Sequence, residues 1–185
     1  MKVYINPGHD KTYDSGAVNP VTGLRECDVA AKIGEDVKRY LEAAGCEVRL
    51  LQSDNLMYDT QYADRPVAVC ADANAWPADI FVSLHCNAFN TEAKGTEVEC
   101  YRVNTQGGTL ANCIQGQIVR SLGTVDRGIK ERPDLIVLNC TEMPAALVEM
   151  AFIDNNADAA LLTQRSDDFA RAIARGITDY QLTLA

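Results

Sequence analysis

No apolar run in this sequence approaches the roughly 20 residues that a membrane-spanning helix needs. Positive charge is scarce as well: 17 lysines and arginines stand against 26 aspartates and glutamates, a net charge of −9. That balance argues against binding nucleic acid or an anionic membrane by bulk electrostatics, and an anionic polymer would have to be gripped locally. The seven cysteines are Cys27, Cys46, Cys70, Cys86, Cys100, Cys113 and Cys140. Their number is odd and no two stand two residues apart, so neither a disulfide framework nor a zinc-clasping or redox pair is expected. They read instead as small buried residues of a chain folded under reducing conditions. The first residues run straight into a strand and lack the parts of a signal peptide. The expectation is a chain made without a signal, or one that has lost it.

What is present suits one domain. At 185 residues the chain can bury a sizeable core but is short for two domains, and 47% hydrophobic with 23% charged residues is an ordinary globular balance. Short apolar runs alternate with amphipathic stretches. Strands are expected over 2–5, 47–51, 79–87, 96–103, 135–138 and 145–153, with 96–103 half-exposed. Helices are expected over 62–75, 109–122, 157–162 and 167–182. Another helix has its apolar face on Val29, Ile33, Val37, Tyr40, Leu41 and Ala44 and ends at Gly45. Residues 10–23 and 125–134 read as loops. This order implies an α/β fold: a single-domain, twisted, mostly parallel sheet of about six strands flanked by helices on both faces.

The chain has only two histidines, and both stand at strand ends: His9 after Val3-Tyr4-Ile5, His85 after Phe81-Val82-Ser83-Leu84. In open α/β sheets that is where ligand sites lie. Glu26 sits at the first turn of the helix that follows the His9 loop. Two imidazoles and a carboxylate suit a catalytic zinc, which keeps a fourth position open for water. Glu149 lies in a strand apolar on both faces, where an unpartnered carboxylate is costly and its pKa is pushed up. It would serve as general base. Cys86, pointing to the opposite face from His85, is left out of the ligand set. Each residue also has a plainer reading. A strand-end histidine is more often structural, Glu26 could simply favour a helix N-terminus, and Glu149 could be an exposed edge residue. Arg127 and Lys130 read as solvated loop charges rather than substrate clamps. The residues alone carry as far as a metal hydrolase.

Seven segments, in order, resemble the zinc-dependent N-acetylmuramoyl-L-alanine amidases, the amidase-3 catalytic domain of bacterial autolysins and phage endolysins. They are Asn6-Pro7-Gly8-His9; Asp14-Ser15-Gly16-Ala17-Val18; Gly23-Leu24-Arg25-Glu26; Phe81-Val82-Ser83-Leu84-His85-Cys86-Asn87-Ala88; Lys94-Gly95-Thr96-Glu97-Val98; Asp126-Arg127-Gly128-Ile129-Lys130; and the stretch from Met143-Pro144 through Glu149 to Asp154-Asn155. The resemblance implies one catalytic domain over 1–185, with His9, Glu26 and His85 as Zn2+ ligands and Glu149 as the catalytic carboxylate. It also implies cleavage of the amide between N-acetylmuramic acid and L-alanine of the peptidoglycan stem peptide. Asn6 stands where that family commonly has aspartate, and Asp10-Lys11 where glycines are common; either could reorient His9 through its neighbours.

Two alternatives stand beside the amidase reading: a zinc peptidase of another wall bond, and a catalytically silent wall-binding or regulatory domain. A metal buffer built on the cysteines fails for want of spacing. The expected partner is a muropeptide, with no nucleic acid and no membrane span, and a monomer is the default. The expected place of action is the cell wall, outside the cytoplasm. An endolysin made in the cytosol and released at lysis would reconcile that with the missing signal and the reduced cysteines. So would an exported autolysin trimmed of its signal.

Overall fold

The computed structural model describes residues 1–57 and 63–184. In chain order the elements are β1 (Lys2–Pro7), α1 (Glu26–Ala43), β2 (Glu47–Leu50), α2 (Val69–Ala75), β3 (Ile80–Asn87), β4 (Thr96–Cys100), α3 (Gln106–Leu122), β5 (Asp126–Glu131), α4 (Ile136–Asn139), β6 (Ala145–Phe152), α5 (Asn156–Gln164) and α6 (Ser166–Leu182). The strands form one six-stranded sheet in the order β2-β1-β3-β6-β4-β5. β2, β1, β3 and β6 run parallel, β4 is antiparallel to β6, and β5 is parallel to β4.

Side-chain alternation sends the apolar residues of each inner strand to two cores. The larger core packs Val3, Ile5, Val82, Leu84, Val98 and Val148 against α1, α3 and α6 through residues such as Ile33, Leu41, Ile114, Phe169 and Ile173. The smaller one packs Tyr4, Phe81, Ala145 and Leu147 against α2 and α4 through Val69, Cys70, Val137 and Leu138. Because α2 and α4 have only seven and four residues, the second face outruns its cover. His85 and Glu149 continue the rows of Phe81 and Leu147 on that face and are only half-buried. An uncovered strip at the carboxyl ends of the central strands is what makes room for a site.

Several expectations change. The helix expected over 62–75 begins at Val69; residue 62 lies outside the described residues, and 63–68 are not helical. Pro66 accounts for this, since proline disfavours helix at the residue before it and cannot donate inside a helix. The run 135–138, expected as a strand, folds as the single turn α4. Four apolar residues satisfy either period, and burial of Val137 and Leu138 in the smaller core decides between them. The stretch 125–134, expected as a loop, contains β5, whose exposed charged residues are those of a protected edge strand. β4 stops at Cys100 and is buried throughout rather than half-exposed. Its Glu97 and Glu99 are tolerated there because Arg127 and Arg132 pair with them at 2.8 and 3.2 Å. α3 starts three residues before the expected 109, capped by the Thr105 side chain. All seven cysteines are free, and five are buried.

Candidate metal centre

The site begins with a ladder contact. Parallel pairing of β3 with β6 places His85 directly across from Glu149. Glu149 therefore belongs to a central strand, flanked by β3 and β4, and the edge alternative is wrong. One strand further, β1 ends at Pro7, and Gly8 continues the pairing through its N–H to the Leu84 carbonyl. His9 follows with φ of 65°, a left-handed conformation that a non-glycine residue rarely adopts and that turns its ring back over the end of β3. The two imidazoles meet edge to face, with centroids 4.9 Å apart.

Glu26 stands between them. Its Oε2 lies 3.1 Å from His9 Nε2 and its Oε1 lies 3.0 Å from His85 Nδ1. Two backbone amides hold the carboxylate: Ala17 N–H donates to Oε2 and Cys86 N–H to Oε1, each at 2.9 Å. One donor atom from each of His9, Glu26 and His85 falls within 4.8 Å of the others, which makes these three a group that fits a metal ion. The donor set is chemically apt as well, since imidazole nitrogen and carboxylate oxygen together suit zinc and other divalent transition metals.

Space around the donors is set by two glycines. A Cβ on Gly8 would fall 2.2 Å from His85 Cε1, and one on Gly16 would fall 2.5 Å from His9 Cδ2 and 2.6 Å from Glu26 Oε2. Gly16 also has φ of 64°, so both its conformation and its clearance call for glycine.

Asp14 completes the cradle. Its Oδ2 lies 2.7 Å from His9 Nδ1, so the ring donates there and leaves Nε2 for Glu26 or a cation. Asp10 sets this up: its side chain accepts from Thr12 and Tyr13 N–H, closing the turn that brings Asp14 back to His9. Asp10 thus serves the second-layer geometry rather than disturbing it. Asn6 does neither. It is fully buried, donates to the Leu51 carbonyl and accepts from Ser83 Oγ, tying β1 to its two neighbours below the site.

The electrostatics follow from this packing. Burial alone would lower the His9 pKa, but the carboxylates of Glu26 and Asp14 overcome it and raise it to about 9. Burial would raise Glu26, and the two imidazoles more than offset that, so it stays ionised far below the usual carboxylate range. Glu149 goes the other way. Burial, and then the charges of Glu26, Glu99 and Glu97, push it well above the ordinary value, with His9 opposing. Its Oε2 is buried and has no hydrogen-bond partner among the described residues. An orphaned, desolvated carboxyl beside three metal-capable groups is the arrangement expected of an acid–base residue.

Arg127 departs from the solvated-loop expectation: it sits on β5, pairs with Glu97 and lies 4.8 Å over the Phe152 ring. Lys130 is exposed, as expected. Asp14 is not among the site residues expected from the sequence, where it falls in the loop 10–23 and in the second of the seven segments. The available signal was a carboxylate five residues after a candidate ligand, since metal-binding imidazoles commonly hand their second nitrogen to one.

The model of the N-acetylmuramoyl-L-alanine amidase family matches residues 3–179. The chain belongs to that family. It is 35% identical to the N-acetylmuramoyl-L-alanine amidase LytC of Bacillus subtilis over 96% of this chain and 35% of LytC. It is 36% identical to the endolysin of Bacillus phage SPP1 over 96% of this chain and 65% of the endolysin. The chain thus spans about a third and about two thirds of these relatives. Among solved structures, the N-acetylmuramoyl-L-alanine amidase AmiC2 of Nostoc punctiforme superposes with a TM-score of 0.84 at 30% identity, covering 98% of this chain and 97% of that one. Family membership bears out the resemblance seen in the seven segments, and the six-stranded α/β fold agrees with it.

Proposed function

We propose that residues 1–185 form one catalytic domain that holds zinc on His9, Glu26 and His85. It hydrolyses the amide joining N-acetylmuramic acid to L-alanine of the stem peptide, with Glu149 as general base and acid. The observation that carries the reading is the convergence of three donor groups within 4.8 Å of one another beside a buried, unpartnered Glu149 Oε2. Family membership supports the substrate class.

Bound in this cradle, zinc would supply Lewis acidity to a carbonyl oxygen and to water. The chain supplies the rest. Asp14 fixes the His9 ring so that Nε2 faces the centre, and the Ala17 and Cys86 amides fix Glu26. Glu149 Oε2 takes a proton from the attacking water and returns it to the alanine nitrogen as the carbon–nitrogen bond breaks. A raised pKa suits the second of these tasks, because the carboxyl holds its proton until the amine departs. The place of action would be the cell wall, reached from the cytosol at lysis or by export.

Metal analysis and loss of turbidity of purified walls, before and after chelation, test the reading. One zinc per chain and chelator-sensitive lysis with new alanine amino termini are expected. Glu149→Ala keeps zinc and loses turnover, while His85→Ala loses zinc. Equal zinc loss in both variants would make Glu149 a ligand and overturn its role. Binding to walls without new amino termini would establish the silent wall-binding alternative, and cleavage of stem peptides lacking muramic acid would establish the peptidase.

A further inference from the structure

Beside His9 and His85 lies a cavity of about 340 Å³, at the small end of ligand pockets. Across from the two histidines and three aspartates of its lining, the cavity has an aliphatic side: Leu56, Leu147, and Leu135, Ile136 and Val137 from α4 and the residue before it. Ile136 is 42% exposed although its neighbours Val137 and Leu138 are buried in the smaller core. The three acids of the lining are paired, Asp14 with His9 at 2.7 Å, Asp54 with Arg65 at 2.6 Å and Asp134 with Arg132 at 2.9 Å. The lining therefore does not present bare carboxylates to an acidic ligand.

We infer that this cavity is the subsite for the peptide side of the scissile bond, and that Ile136, with Leu135, selects the first residue of the stem peptide by contact with its methyl group. The inference rests on the amidase reading. The departing nitrogen must come within hydrogen-bond reach of Glu149 to be protonated. Leu147 precedes Glu149 by two residues on the same face of β6 and lines the cavity, so a chain leaving that nitrogen on this side runs over Leu147 towards α4. The lining also discriminates between the two halves of the substrate. A sugar ring would bring hydroxyls onto the aliphatic side of the cavity, where no side chain can hydrogen-bond them, which is costly. An alanine methyl loses nothing there.

Methyl-labelled, zinc-loaded protein gives the first test. Addition of L-alanyl-D-isoglutamine should shift the methyl resonances of Leu135, Ile136 and Leu147, whereas the N-acetylglucosaminyl-N-acetylmuramic acid disaccharide should leave them in place. Shifts from the disaccharide, or from neither compound, overturn the assignment. The second test compares kcat/KM on synthetic disaccharide-peptides with alanine or glycine as the first residue. One methyl in a fitted pocket is worth roughly 10-fold or more. Wild type should show such a preference, Ile136→Ala should lose most of it, and Ile136→Val should restore it. An unchanged ratio in Ile136→Ala refutes the selective role. Release of alanine amino termini from whole walls tests the amidase reading separately, and can succeed when these methyls stay still.

Discussion

Replacing Gly16 by alanine adds one methyl group between two of the three proposed ligands, and the structure allows its effects to be separated. The new Cβ would stand 2.5 Å from His9 Cδ2 and 2.6 Å from Glu26 Oε2, roughly 1 Å short of ordinary contact. Both neighbours are pinned, His9 by Asp14 and Glu26 by two backbone amides, so relief comes at the expense of donor geometry. Metal sites tolerate errors of only about 0.2 Å in ligand distance, and disturbing their supports typically costs 10–100-fold in affinity. The same substitution also forces alanine into φ of 64°, which costs about 1–2 kcal/mol in any context. Gly23 supplies the control: its φ is 72°, but nothing lies within 4 Å of its Cβ position. Gly23→Ala should therefore lower Tm by about 2–8 °C, at about 2–4 °C per kcal/mol for a domain of this size, and leave zinc affinity unchanged. Gly16→Ala should lose more stability and weaken zinc binding about 10–100-fold. Competition with a chromophoric chelator and calorimetric melting, run on both variants, measure the two effects. Equal zinc affinity in the two variants would refute the argument that Gly16 is there to clear the ligands.

Three further outcomes follow from the electrostatics. Glu149 has a folded pKa above its ordinary value of 4.5, so its contribution to stability is full below that pH and is lost as pH rises. In chelated protein, Glu149→Gln should therefore melt higher than wild type at pH 8 and match it near pH 4, because the amide keeps the shape of the side chain and removes its titration. A variant less stable than wild type at pH 8 would contradict this. His9, at a pKa of about 9, must lose a proton before its Nε2 can accept a metal. Apparent zinc affinity should fall about tenfold per unit as pH drops below 9, and titration calorimetry in buffers of different ionisation enthalpy should record about one proton released at pH 7. Asp14→Ala, which removes the acceptor of His9 Nδ1, should weaken zinc about 10–100-fold while leaving the melting of the rest of the domain nearly unchanged.

The sequence by itself determined the alternation of strands and helices, the two strand ends bearing histidine, and the four residues of the proposed centre. It could do so because these signals are local: an apolar run that stops at His85 and an amphipathic period that begins at Glu26. The inner strands were legible for the same reason, their burial being written as continuous apolar runs. Tertiary structure alone decided what depends on neighbours. Leu135 to Leu138 is apolar in either period, and only its place over the smaller core makes it a helical turn. The charged run at Asp126–Glu131 lacks strand character, yet pairing with β4 makes it the sheet's edge. Glu97 and Glu99 look solvent-facing in sequence and are buried because arginines from across the ladder reach them. Asp14 reads as a turn residue until His9 adopts a left-handed backbone and brings its Nδ1 within 2.7 Å. That contact and the clearance at Gly16 come from the path of a single loop, and the aliphatic wall of α4 meets the site from far along the chain; periodicity carries no record of either.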